Sequence, residues 1–199
     1  MGTARQVEVL ENSRTALASP LMTTENRRAE VQAVDAFLTE AKSLDGPAPL
    51  WVNGTWGGEC TAIWNVLDPF GAPVAALKFT ARKTDTSVSA ANLIYRGRTV
   101  WRLDMDHDTV CHPNPHDGHL YGLPSLVCGP HEHAWTINRD HILCQDQWNL
   151  PYRRPLEPAV RRLGQGLLWL AGQINLTLSA DQRGFDGPTR HDLFDIGGR

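Results

Sequence analysis

The 199-residue sequence predicts an α+β fold: an antiparallel sheet of about four to six strands, packed by an N-terminal and a C-terminal helix. Three observations predict it. Four strand-like segments follow one another closely between positions 61 and 105, with connections too short for parallel crossovers. Segments with apolar residues at helical spacing stand before and after them. The composition, 41% hydrophobic and 21% charged, is that of an ordinary globular chain.

Residues 1–23 are polar and irregular and read as a flexible arm, 24–178 as a single α+β domain, and 179–199 as a polar C-terminal tail. At the start of the domain Thr24 reads as the cap of a helix. Val31, Val34, Phe37, Leu38 and Ala41 share one face of it, and Gly46-Pro47 stops it. After a Gly-, Trp- and Pro-rich connection, Thr61–Leu67 and Val74–Ala81 read as strands joined by the turn Asp68-Pro69-Phe70-Gly71. Val88–Tyr95 and Thr99–Met105 read as a second pair across the hairpin Arg96-Gly97-Arg98. His131 to Ile137 reads as a further short strand, and Trp148-Asn149-Leu150-Pro151 as an anchored turn. Pro158 to Ile174 reads as the second helix, with Gly164, Gly166 and Gly172 suited to close packing on the sheet. In the tail, Phe185, Leu193, Phe194 and Ile196 are the candidates for docking.

Charge and hydropathy exclude several function classes. A net charge of −3 argues against a strongly basic DNA-binding module, although Arg153, Arg154, Arg161 and Arg162 form a local basic group. The plainer reading of that group is a solvated surface at a helix entry. No apolar run approaches the roughly 18 residues of a membrane span. The polar N-terminal segment lacks an apolar signal core, so the expectation is a cytoplasmic protein with reduced thiols and no disulfide. No organic-cofactor signature is present.

Chemistry concentrates in one stretch. Residues 107–141 hold seven of the eight histidines, with Cys111 and Cys128 among them and Cys144 just beyond. Histidine titrates near neutrality and is the commonest metal ligand, so such clustering between turn signals marks a candidate site. Three readings follow. Cys111, His116, Cys128 and His131 have spacings suited to a metal, with zinc as the candidate ion. Alternatively, Arg102, Asp104, His112, His131 and His133 offer a base, an acid and a charge clamp for phosphodiester cleavage. Two-residue alternation puts Arg102 and Asp104 on one face of their strand, and the expectation is that His131 and His133 share that face. The plain alternatives are a surface ion pair and a polar loop whose imidazoles satisfy backbone carbonyls. The third reading is a nucleophilic Cys128: His112-Pro113-Asn114, then Cys128, then Trp135, resemble a ubiquitin-conjugating enzyme, with a longer gap before the cysteine.

A broader resemblance covers residues 60–176. Arg102-Leu103-Asp104, His112-Pro113-Asn114-Pro115 with Asp117-Gly118, Gly129-Pro130-His131-Glu132-His133, Trp148-Asn149-Leu150-Pro151 and the helix to Ile174 occur in order. Together they resemble an uncharacterised family of small bacterial, phage and plasmid proteins. That resemblance groups Arg102, Asp104, His112, His131 and His133, and it implies a mobile-element setting such as phage–host conflict. Two function classes result. One is a hydrolase acting on nucleic-acid phosphodiesters. The other is a non-catalytic protein that binds and inhibits a host or defence protein, its His-rich loop being structural.

Overall fold

The computed structural model describes residues 23–54, 57–145 and 147–189, so most of the N-terminal arm and the tail positions Leu193, Phe194 and Ile196 lie outside the described residues. The architecture is α+β with a mostly antiparallel sheet. In chain order the elements are α1 (Thr24–Thr39), β1 (Lys42–Leu44), β2 (Val52–Asn53), β3 (Glu59–Leu67), β4 (Pro73–Arg82), β5 (Ser89–Tyr95) and β6 (Arg98–Met105). Then come β7 (Cys111–Pro113), β8 (Leu126–Cys128), β9 (His131–His133), α2 (Trp135–Cys144), β10 (Arg154–Pro155), α3 (Leu163–Gln173) and β11 (Leu176–Thr177). The main sheet has nine strands in the order β10-β9-β6-β5-β4-β3-β1-β11, with β2 also on β3. It is larger than expected because two- and three-residue strands extend both sides of the long β3–β6 meander. Such strands are too short to show a period. All pairings are antiparallel except β1 with β11.

Alternation divides the sheet cleanly. Ala62, Trp64, Leu77, Phe79, Ala91, Leu93, Trp101, Leu103 and Met105 are buried in one core with the apolar residues of α1 and α3. On the other face Thr61, Thr80, Ala90, Asp104 and His131 fall in one cross-strand row, with Lys78, Asn92, Arg102 and His133 in the next. One face is therefore core, and the other is polar and carries the candidate site.

The N-terminal helix is capped one residue earlier than the sequence suggests, because the Thr23 hydroxyl accepts from the Asn26 N–H at 3.2 Å. It also ends earlier, at Thr39. Lys42 folds back to donate its ammonium hydrogens to the carbonyls of Phe37, Leu38 and Glu40, which satisfies helix-end acceptors and frees β1 to join the sheet. The β5–β6 hairpin turns through Arg96 and Gly97, both at positive φ (50° and 74°), a two-residue turn whose twist matches its strands.

Two other elements differ from expectation. Only His131–His133 of the segment read as a strand is extended; α2 begins two residues later, with no side-chain cap to announce it. Its position comes from tertiary contacts instead: Trp135 Nε1 and the Arg139 guanidinium both donate to Asp35 of α1, at 2.7 and 2.9 Å. The C-terminal helix begins at Leu163 rather than Pro158, because the Gln165 side chain reaches back to accept from the N–H groups of Arg161 and Arg162. Phe185 of the expected tail is buried against Trp51, Trp64 and Phe79, with ring centroids 4.7–5.7 Å apart.

The glycines of α3 split by environment. A Cβ at Gly166 would stand 3.1 Å from Met105 Cε and 3.3 Å from Leu103 Cδ1, whereas one at Gly172 meets nothing within 4 Å. Gly166→Leu should therefore lower unfolding free energy by about 1–3 kcal/mol through overpacking. Gly172→Ala should raise it by up to about 1 kcal/mol through helix propensity. Urea titration of both variants checks the contrast, and equal effects would contradict the close approach of α3 to β6.

Candidate functional site

The site forms where β6 and β9 pair. Their register sets Arg102 opposite His133 and Asp104 opposite His131, so all four side chains share the polar face, as alternation predicts. Asp104, His131 and His133 are buried there, with only 7%, 1% and 7% of their surfaces exposed. Arg102 grips one oxygen of the carboxylate: its Nε and Nη2 donate to Asp104 Oδ1 at 2.9 and 2.6 Å. The other oxygen, Oδ2, faces both imidazoles, 3.5 Å from His131 Nε2 and 3.4 Å from His133 Nε2. Burial by itself raises the Asp104 pKa. A hydrogen bond from His133, available when its ring is protonated, together with the Arg102 charge outweighs it and holds the carboxyl at about 2, so Asp104 is ionised at neutral pH.

Each imidazole is locked through its other nitrogen. His131 Nδ1 donates to the carbonyl of Gly129 at 2.9 Å, and His133 Nδ1 donates to the carbonyl of Leu150 at 2.6 Å. A carbonyl only accepts, so in the neutral rings the proton sits on Nδ1 and the Nε2 lone pairs point at the carboxylate. Three acceptor atoms thus converge with no neutral donor among them. Such an arrangement is suited to a cation. Buried Asp104, His131 and His133 form a group that could hold a metal ion.

The carbonyls that lock the rings are themselves fixed. Gly129 has φ +74°, and a Cβ there would stand 2.6 Å from Asp108 Oδ1, so the turn before His131 requires glycine. The 150–154 segment is clamped by two asparagine side chains. Asn138 accepts from the Tyr152 N–H and donates to its carbonyl, both at 2.9 Å. Asn114 does the same for Arg153, at 2.8 and 2.9 Å. The turns noted in the sequence around Asn114 and Leu150 are therefore supports of the site.

Above the group lies a cavity of about 410 Å³, lined by Arg102, Asp104, Asp106, His112, His131, His133 and Arg153 among others. His112 Nε2 donates to Asp106 Oδ2 at 3.0 Å, and its ring centroid is 5.1 Å from that of His131. Asp106, His112 and His131 make a second group with ligand atoms close enough for a cation. Asp106 and Arg153 were not singled out as site residues from the sequence. Asp106 sits beyond the end of β6, where alternation no longer reports direction, although it continues the Arg102–Asp104 period. Arg153 belongs to a charge group whose plainer reading was solvated surface.

The cysteines overturn an expectation. Cys111 and Cys128, paired in register on β7 and β8, form a disulfide. Both sulfurs are committed to each other, so neither is a thiolate ligand nor, for Cys128, a free nucleophile, and the expectation of unpaired thiols is corrected. The expected inference to a reducing compartment loses that support. His116 lies on an exposed 3₁₀ turn beside His119 and does not line the cavity. Of the four-member Cys/His set, only His131 remains in the site. No helix among the described residues is long and apolar enough to cross a membrane.

Compared with family models, curated proteins and solved structures, the chain matches none.

Two predictions follow from this geometry. The bridge closes a loop with a sequence separation of 17, so Cys111→Ser with Cys128→Ser should cost about 3 kcal/mol of stability. Denaturant melts measure that, and peptide mapping without reductant should recover the 111–128 pair.

Burial is the largest influence on His131 and pushes its pKa below 6.5, against the raising effects of the Gly129 bond and Asp104. The folded chain therefore resists a proton that the unfolded chain accepts. This contribution is fully present above 6.5 and is lost as pH falls below it. Melting of metal-free protein should weaken as pH falls below 6.5, and less so in His131→Gln. Parallel slopes in the two proteins would assign the effect elsewhere.

Proposed function

We propose that the protein is a metal-assisted hydrolase acting on nucleic-acid phosphodiesters, working in a mobile-element setting such as phage–host conflict. The observation that carries the reading is the convergence of Asp104 Oδ2, His131 Nε2 and His133 Nε2, with each imidazole held by a backbone carbonyl at Nδ1. Two histidines and a carboxylate beside an open cavity fit a catalytic rather than a closed structural site. Zinc is the first candidate among divalent first-row ions. Bound there, such an ion would supply a hydroxide at neutral pH and polarise a phosphoryl oxygen.

The chain's own residues complete the requirements. Asp106 orients His112, whose half-exposed ring lines the cavity next to His131 and is placed to move a proton to or from a leaving oxygen. Arg102 grips Asp104 Oδ1, which fixes the carboxylate with its other oxygen toward the imidazoles, while remaining partly exposed to the cavity. A solvent-accessible cavity over the cluster supports this reading over the one in which the His-rich loop is structure alone.

The full chain, stripped with chelator, should bind one equivalent of zinc, manganese or ferrous ion by calorimetry. Asp104→Asn, His131→Gln and His133→Gln should each weaken binding by more than the roughly 10–100-fold seen when a supporting partner is lost. The loaded protein should cleave bis(p-nitrophenyl) phosphate and single-stranded RNA or DNA. His112→Gln should lose about 10²–10⁴-fold of that rate while keeping the metal. Failure to bind any of the three ions, or binding without cleavage, would overturn the hydrolase reading in favour of a protein that binds and inhibits a host or defence protein.

A further inference from the structure

Among the described residues, Arg153 Nε is the one buried side-chain nitrogen or oxygen without a hydrogen-bond partner. Its neighbours are committed: Arg102 to Asp104, and Arg154 to Glu132 at 2.6 Å. Arg153 nonetheless lines the cavity above Asp104, His131 and His133. Its backbone is clamped on both sides by Asn114, so the side chain is presented from a fixed point. A guanidinium with a desolvated, unsatisfied N–H is unfavourable unless something else provides the acceptor. Because Arg153 also lines the cavity, an acceptor that enters there meets its side chain.

We propose that Arg153 is the anion receptor of this site and binds a non-bridging oxygen of a phosphodiester. The proposal rests on the hydrolase reading above and names the residue that recognises its substrate. Guanidinium forks match phosphate oxygens in geometry and stay charged, which suits a group held at the wall of a partly buried cavity. The cavity wall further points to a diester rather than a terminal monoester. Arg102 and His133 also line a second cavity of about 400 Å³, which continues past Asn92, Thr99 and Asn149. A phosphate seated between Arg153 and the Asp104/His131/His133 group thus has room for substituents on either side.

Inorganic phosphate is the probe. Calorimetric titration into the full chain, with and without zinc, should show binding that weakens about tenfold or more in Arg153→Met, the loss of one charge-assisted bond. Arg153→Lys should recover only part of it, because the ammonium cannot reproduce the fork. Zinc affinity should stay within about twofold of the parent in both variants, and both should melt at or above its temperature because the orphan N–H is gone. With a cleavable diester, the change should fall on KM and kcat together, and a matched monoester should be a poorer substrate. Phosphate binding unchanged in a folded Arg153→Met protein, or none by the parent, would overturn the assignment. Phosphate binding that depends on Arg153 in a protein without zinc affinity or cleavage would keep it and sink the hydrolase reading instead.

Discussion

A carboxylate buried on the face of a sheet has to be neutralised, and the way Asp104 is neutralised accounts for much of the structure around it. Arg102, two residues along the same strand, takes one oxygen. The other is left to His131 and His133 on the adjacent strand. Both rings spend their Nδ1 hydrogens on the carbonyls of Gly129 and Leu150, so Nε2 meets Oδ2 either as an N–H of a protonated ring or as a lone pair to a shared cation. Those carbonyls become part of the site although neither side chain touches it. Gly129 in turn requires its left-handed turn, and Leu150 leads into the segment held by Asn138 and Asn114. Residues far apart in sequence are constrained by the electrostatics of one oxygen atom.

The same dependence explains what was legible beforehand. The β3–β6 meander could be read from the sequence because each strand is long enough to show a period of two and each turn carries glycine, proline or aspartate. Arg102, Asp104, His131 and His133 could be grouped because the same period fixes which face each occupies. Strands of two or three residues have no period to read, so the sheet was underestimated. The second helix has no capping side chain at its start and is held by Asp35, about a hundred positions away, which no local pattern reports. Arg153 was visible only as one member of a charge group. What distinguishes it, a buried Nε without a partner, is a property of packing.

The cysteines show where a compositional argument fails. Imidazoles and thiols close in sequence suggest shared ligation. Here, however, the histidines that matter alternate on the main sheet, while the cysteines sit opposite each other on a separate two-stranded ribbon. Register decides between the two chemistries. Directly paired positions on antiparallel strands bring two Cβ atoms within bonding reach of a disulfide, and that bond takes both sulfurs out of ligation. The ribbon still bears on the site, because His112 follows one bridged cysteine and Gly129 follows the other.

Glu132 completes the logic of β9. It lies between the two histidines and points to the opposite face, where it is fully buried. There it accepts from Trp101 Nε1 at 2.9 Å and from Arg154 Nε at 2.6 Å, with Trp169 Nε1 at 3.3 Å. A three-residue strand has little ladder of its own to hold it in register. Charge-assisted bonds from the core side provide that anchoring, since moving Glu132 would strand a buried carboxylate. The short His-Glu-His segment is therefore fixed from both faces. One face secures the strand, and the other is free to present two lone pairs whose geometry does not depend on a mobile loop.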